Sequence, residues 1–354
     1  MVANITSSRR PLRIAYLALA VVACIVPVIA SEQTNNFVRA ADSGDLTTVS
    51  ALLQSGIDVN SEGSPKKGFP SSTALVAASR SGRLEVVQVL LTAKADVNIS
   101  GGAALIAASG QGDAKVVGAL LAAGADPNLD TGLTPLTEAT LQNHLEVVQA
   151  LLAAKAKVDA KGKTSIGRPL FEASMHDRLA ILQALVAAGA DVNAIQTTDG
   201  RTAVMAAAAG VQPGGVRVLI QAGANVNAMT YSGVTPLMIA AGRNDSALVE
   251  ALLAVHADAN GGFRVCSNAF PAPNPGSTSG INGANAMGLF STLAGSSPLG
   301  VASAVGNLTV VRALLTAKAD ANRVQCDGKT ALQIARENGH REVATLLEAA
   351  GATR

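Results

Sequence analysis

The sequence has no Trp, two Tyr and six Phe in 354 residues, although 49% of it is hydrophobic. A single large core normally fills its centre with aromatic rings. Their scarcity excludes that design and indicates many small cores closed by Ala, Val and Leu. Three Cys exclude a disulfide framework. Charged residues are 15%, with a net charge of +2. That excludes a strongly basic nucleic-acid binder on charge grounds and a long, highly charged disordered chain.

The first thirty residues differ from the rest. Arg9, Arg10 and Arg13 precede an uncharged run, Ile14 to Ala30, of 17 residues. That length is at the short limit for a membrane span. A basic start, an apolar stretch and Val28-Ile29-Ala30 before Ser31 describe a secretory signal with a small-x-small cleavage site. Residues 1–30 are thus expected to be a signal peptide or a retained N-terminal anchor. Two weaker motifs overlap them: a twin-arginine match at Ser8–Arg13 and a loose lipid-processing match ending at Cys24. Without residues 1–30 the chain holds 24 Lys and Arg against 25 Asp and Glu, a net charge of −1.

Residues 31–354 repeat. Ala-Asp-Val-Asn at 95–98 recurs as Ala-Asp-Pro-Asn at 125–128, Ala-Asp-Val-Asn at 190–193, Ala-Asn-Val-Asn at 224–227 and Ala-Asp-Ala-Asn at 257–260 and 319–322. About 25 residues earlier stands a Thr-Pro-Leu-like tripeptide, as at Thr134, Thr235, Ser297 and Thr330. Units start near 35, 73, 103, 134, 168, 202, 235, 297 and 330, a period near 33. Such a period is the signature of a repeat architecture.

Each unit reads as two short helices and a loop. In 73–98, Thr73 is placed to cap the first helix. Ser81-Gly82 breaks it. Leu84, Val86, Val87, Leu90 and Leu91 then follow at amphipathic helical spacing. The second helix is followed by Gly in five units, the residue a left-handed cap prefers. Lys94, Lys155, His256 and Lys318 stand there in the others.

Thr-Pro-Leu, Ala-Ala, the Gly turn, Val-Val-x-x-Leu-Leu and Gly-Ala-Asp-x-Asn together resemble the ankyrin repeat. The resemblance covers about residues 35–352. It implies an all-α solenoid of about nine helix-turn-helix units with hairpin or loop tips. The family usually has His after Thr-Pro-Leu. Here Val76, Ile106, Thr137, Phe171, Met205, Met238, Gly300 and Gln333 stand there, mostly replacing a polar tie by apolar packing. In the sixth unit Gln212-Pro213-Gly214-Gly215 opens the second helix. Gly and Pro are poor helix formers, so a late-starting, short helix is expected there. In the last unit Arg341 and Glu348 replace aliphatic residues, the polar outer face of a capping repeat.

Residues 261–296 interrupt the period with three of the six Phe (Phe263, Phe270, Phe290) and with Pro271, Pro273 and Pro275. A loop of this length is usually functional or disordered. It is read either as a tip loop packed on the array or as an element that contacts a partner or ligand. Adjacent tips lie close in solenoids of this kind, and an exported protein is oxidised. The resemblance therefore implies a disulfide between Cys266 and Cys326, the alternative being two free thiols.

No catalytic constellation emerges. His144, His176, His256 and His340 lack a second ligand at metal spacing. There is no phosphate-cradling loop and no nucleophile elbow. The recurring Asp side chains are turn formers. We expect no enzyme activity, no cofactor, no metal and no nucleic acid. The resemblance implies a monomeric protein-binding scaffold, exported to the periplasm or anchored facing it. Its candidate contacts are Lys66, Lys67, Lys163, Arg168, Arg201, Met229, Tyr231, Phe263, Phe270 and Phe290. Two other readings stay open: a small-molecule sensor or carrier lidded by 261–296, and a membrane-anchored spacer held by residues 14–30.

Overall fold

The structure, a computed structural model, describes residues 32–64, 70–129, 132–159, 168–195, 199–210, 213–262 and 293–353. The expected signal or anchor, Lys66, Lys67, Lys163, Phe263, Cys266, Phe270 and Phe290 lie outside the described residues. The chain divides into two compact units, 1–131 and 132–354.

In the first unit the described helices are α1 (32–43), α2 (Leu46–Gln54), α3 (Ala74–Arg80), α4 (Leu84–Thr92), α5 (Ile99–Gln111) and α6 (Ala114–Ala122). They form three antiparallel pairs. First helices pack on first helices (α3 on α5), and second helices on second helices (α2 on α4, α4 on α6). A two-residue antiparallel ladder joins β1 (Glu62–Gly63) to β2 (Ser72–Thr73), with Glu62 opposite Thr73. The Thr73 hydroxyl caps α3 by accepting the Val76 N–H. Asp45 and Asp113 cap α2 and α6 in the same way. The third unit starts only 30 residues after the second. Its entry is shortened into a left-handed turn: Ser100, Gly101 and Gly102 have φ of 53°, 69° and 78°. Gly is the residue that enters this region at no steric cost.

The second unit contains six described pairs: α7 (Pro135–Leu141) with α8 (Leu145–Ala153), α9 (Pro169–Met175) with α10 (Leu179–Ala187), α11 (Ala203–Ala209) with α12 (Pro213–Gln221), α13 (Pro236–Gly242) with α14 (Ser246–Ala254), α15 (Pro298–Val305) with α16 (Leu308–Thr316), and α17 (Ala331–Glu337) with α18 (Arg341–Ala349). Pro occupies the first turn of α7, α9, α13 and α15, where its missing N–H costs nothing. Thr134, Thr235, Ser297 and Thr330 supply the caps, and Thr330 with Gln333 completes a capping box.

Packing explains the composition. All seven residues of α11 and of α13 are buried. Side chains as small as Ala206 to Ala209 fill that layer because neighbouring first helices press on both sides. Second helices bury a narrower stripe of three residues, such as Val116, Val117 and Leu120, or Val310, Val311 and Leu314. Burying three such side chains stabilises a repeat by about 5–9 kcal/mol, an upper bound. Among the described residues the buried aromatics are Phe37 in α1 and Phe171 in α9; the other described repeats close on aliphatic side chains, and each depends on its neighbours for burial.

Each second helix ends in the same left-handed turn. Gly124 donates to the Leu121 carbonyl and Ala125 to the Leu120 carbonyl. That is the Schellman pattern. Lys94, Lys155, His256 and Lys318 adopt the same turn at φ of 63–65°, against 85–89° for the five glycines.

One sequence expectation fails. Helix α12 is neither late nor short; at nine residues it matches α8, α10 and α14. Pro213 is its first residue, where no helical N–H is required. Gly214 lies against Leu179, whose Cδ2 would stand 3.3 Å from an added Cβ, and Gly215 is buried. Gly214 admits a close approach of α12 to α10, and neither glycine breaks the helix.

Candidate functional site

The tips are built from the Asp-x-Asn pairs. The Asp oxygen accepts the N–H of the Asn two residues on, as in Asp96 to Asn98 (2.9 Å), Asp258 to Asn260 (2.9 Å) and Asp320 to Asn322 (2.9 Å). The Asn side chain then crosses to the next repeat. In the first unit, Asn60 accepts the Asp96 N–H at 2.8 Å. Asn98 accepts the Asp126 N–H at 2.9 Å and donates to the Gly124 carbonyl at 3.2 Å.

In the second unit, Asn193 accepts the Asn225 N–H and donates to the Gly223 carbonyl. Asn227 joins Asp258 and the His256 carbonyl, and Asn322 joins Thr353 and the Gly351 carbonyl. The acceptor carbonyls belong to the left-handed cap residues, so each Asn ties one tip to the helix end of the next repeat. The Asn role is absent from the sequence reading, which recognised only the Asp. Recurrence of Asn in every motif was the available signal.

Two places depart from the ladder. Asp159 stands where the other repeats have Asn. It accepts the Asp191 N–H at 3.2 Å, but a carboxylate has no hydrogen to donate. The other is the interruption at 261–296. Asn260 skips it, accepting the Asp320 N–H at 2.8 Å and donating to the Lys318 carbonyl at 3.1 Å. Both described ends of the interruption meet on the same tip. Arg323 donates to the carbonyls of Asn260 and Gly262. Cys326 donates its N–H to the Gly295 carbonyl at 3.0 Å. A Cβ on Gly262 would lie 2.8 Å from the Ser296 carbonyl oxygen. Cys326 is disulfide-bonded. The other two cysteines, Cys24 and Cys266, lie outside the described residues.

Four of the candidate contacts are described. Arg168 precedes α9 and lines a small pocket with Asp159, Phe171 and Asp191. Arg201 pairs with Asp199 at 2.5 Å, and its side chain is only 12% exposed. Met229 is half-buried. Tyr231 is 58% exposed. Its N–H reaches the Asp199 carbonyl at 2.9 Å, and its ring lies on Gly200. The structure thus brings Arg201 and Tyr231 to adjacent tips and leaves Arg168 on a tip further back.

At the opposite end of the repeats, His340 shares a hydrogen bond with the Ala304 carbonyl at 3.1 Å and packs on Gly306. Gln325 fills the space above Gly300, accepting the Ser297 N–H at 3.0 Å. Among the described residues no group of three or more His, Cys, Asp or Glu is placed to hold a metal. Among them, too, no helix is long and apolar enough to cross a membrane.

The model of the family described as ankyrin repeats (3 copies) matches residues 37–131, 77–162, 104–196, 170–261 and 280–353. The crystal structure of the human ASB11 ankyrin repeat domain is similar at 28% identity and a TM-score of 0.54, over 63% of this chain and 98% of that one. No curated protein matches. With the paired helices, the capped turns and the Asn ladder, these matches show that the chain belongs to the ankyrin repeat family.

Proposed function

We propose that this chain is a non-catalytic protein-binding scaffold, exported to the cell envelope, that engages a partner protein through its tips and adjoining first helices. Ankyrin repeats are generally protein–protein interaction modules. The observation that carries the reading is how the recurring polar side chains are used. The Asp and Asn that recur once per repeat are bound to backbone groups of the tips among the described residues, which makes an ordered edge. A rigid edge presents a partner with a surface already ordered, so little entropy is lost on binding.

Arg168, Arg201, Met229 and Tyr231 are the described contacts of this reading; Lys66, Lys67, Lys163, Phe263, Phe270 and Phe290 complete it from outside the described residues. Affinity capture from a periplasmic extract with the full chain tests it. A partner retained by the wild type and lost on Tyr231→Ala supports the reading. Absence of any specific partner, together with a thermal shift caused by a metabolite, overturns it. N-terminal sequencing tests export, with a mature chain starting at Ser31 expected.

We further propose that Cys326 pairs with Cys266. Non-reducing alkylation and mass analysis should find both thiols blocked, and labelling of both in the native exported protein contradicts the pairing.

A further inference from the structure

The asparagine that carries the ladder past the interruption has a neighbour the others lack. Gly261 follows Asn260, whereas Ser61, Ile99, Ala194, Ala228 and Arg323 follow Asn60, Asn98, Asn193, Asn227 and Asn322. An asparagine reacts with its own main chain when the next backbone nitrogen reaches the carboxamide carbon. A Cβ on the next residue crowds that approach, and glycine has none. This tip is closely packed around the glycine: a Cβ on Gly261 would lie 3.1 Å from the Asp258 carbonyl oxygen and 3.3 Å from the Thr235 methyl carbon.

The surroundings supply a second element. The Arg323 guanidinium donates to the Asn260 carbonyl, and its other amino group donates to the Gly262 carbonyl at 3.0 Å. The Asn260 carbonyl is conjugated with the Gly261 nitrogen. A cation on that oxygen draws charge out of the peptide and stabilises the nitrogen once its proton has left. Two sets of bonds oppose the reaction. The Gly261 N–H donates to the Asp258 carbonyl at 3.0 Å, and the Asn260 carboxamide is held by the Asp320 N–H and the Lys318 carbonyl. All of them lie on a surface tip, where local opening costs least. The other ladder asparagines open in the same way, but the Cβ of the next residue stays in place.

We propose that Asn260–Gly261 is a site of spontaneous deamidation, through which the joint across the interruption loosens with time. The Gly261 nitrogen loses its proton to water or hydroxide and bonds to the Asn260 Cγ. The carboxamide nitrogen takes up a proton and leaves as ammonia, closing a five-membered succinimide. Water adds to either carbonyl of the ring, which opens to aspartate or isoaspartate. The aspartate keeps the acceptor for the Asp320 N–H and loses the hydrogen given to the Lys318 carbonyl, the condition in which Asp159 already stands. Isoaspartate also lengthens the main chain by one methylene before Gly261.

Incubation of the purified full chain in mildly alkaline buffer, followed by peptide mapping with mass analysis, tests the site. Conversion is read as the mass gain of an amide-to-acid exchange and as a separate isoaspartyl peptide. Asn260 should convert about tenfold faster, or more, than Asn98, Asn193, Asn227 or Asn322. It should also convert before Asn338, which Gly339 follows at the end of α17 without such a guanidinium. Gly261→Ala should slow the reaction by about tenfold or more. Arg323→Gln should slow it about tenfold, the rate equivalent of one charge-assisted hydrogen bond, and Arg323→Lys should keep most of the rate. A guanidinium that served only as a tether would, when removed, loosen the tip and speed the reaction, so the direction of change separates the two roles. The converted fraction should melt with or below Asn260→Asp.

Conversion of Asn260 no faster than that of the other ladder asparagines overturns the proposal, and so does conversion of Asn338 first. A rate in Arg323→Gln at or above that of the wild type overturns the activation by Arg323.

Discussion

Replacing Asn260 by Ala should weaken the array at the one place where the ladder spans an interruption. The side chain makes two bonds, from the Asp320 N–H at 2.8 Å and to the Lys318 carbonyl at 3.1 Å, across a sequence separation of 60 and 58 residues. Both groups are near the surface, so water replaces part of what is lost. Each bond then contributes about 0.5–1 kcal/mol net, and the pair about 1–2 kcal/mol. For a unit of this size, 1 kcal/mol moves the melting temperature by about 2–4 °C, so a fall of about 2–8 °C is expected. Asn260→Asp keeps the acceptor and loses the donor, reproducing what Asp159 does naturally, and should give about half that fall. Differential scanning calorimetry of the two variants beside a surface control, Gln149→Ala, makes the comparison. A change no larger than the control's in Asn260→Ala would refute the reasoning. So would an Asn260→Asp variant as stable as wild type, because the donated bond would then contribute nothing.

Gly300→Ala places a Cβ where the Gln325 amide lies, so it should cost about 1–3 kcal/mol, and adding Gln325→Ala should recover part of the loss in chemical denaturation. Lys318→Gly relieves a left-handed residue at φ 63° and should raise the melting temperature by about 1–4 °C, read by the same calorimetry. The Asp45 carboxyl is held below its ordinary value chiefly by the Thr48 hydroxyl and N–H. A lowered native value means that its contribution is present above the unfolded carboxylate range and lost as pH falls through the native one. The difference in melting temperature between wild type and Asp45→Ala should therefore be present at pH 7 and shrink below about pH 4.

Local features were legible because their causes are local. Thr73, Thr134, Thr235, Ser297 and Thr330 cap helices within three residues of themselves, and the cap glycines and lysines follow from one turn. The aliphatic stripes on second helices were equally visible as spacing. What was hidden depends on partners far away in sequence. The ladder asparagines reach residues 26 to 60 positions on, so their role emerges only once repeats are stacked. Gly214 read as a helix breaker because the sequence cannot display Leu179 pressing on it. Gly300 read as a lost polar tie, when Gln325 from a later tip occupies the space. Tyr231 was offered as a contact from its tip position alone, and the structure leaves it 58% exposed.

A side-chain ladder joins the described tips to the next repeat. Amide hydrogen exchange on the full chain tests this most directly, at Asp96, Asp126, Asn225, Asp258, Asp320 and Thr353. Each of these N–H groups is bound by the asparagine of the repeat before it. All six should exchange slowly despite lying in surface turns, and Asp320 as slowly as the rest although the interruption precedes it. Exchange of these amides at the rate of an unstructured loop, or of Asp320 alone, would contradict the account.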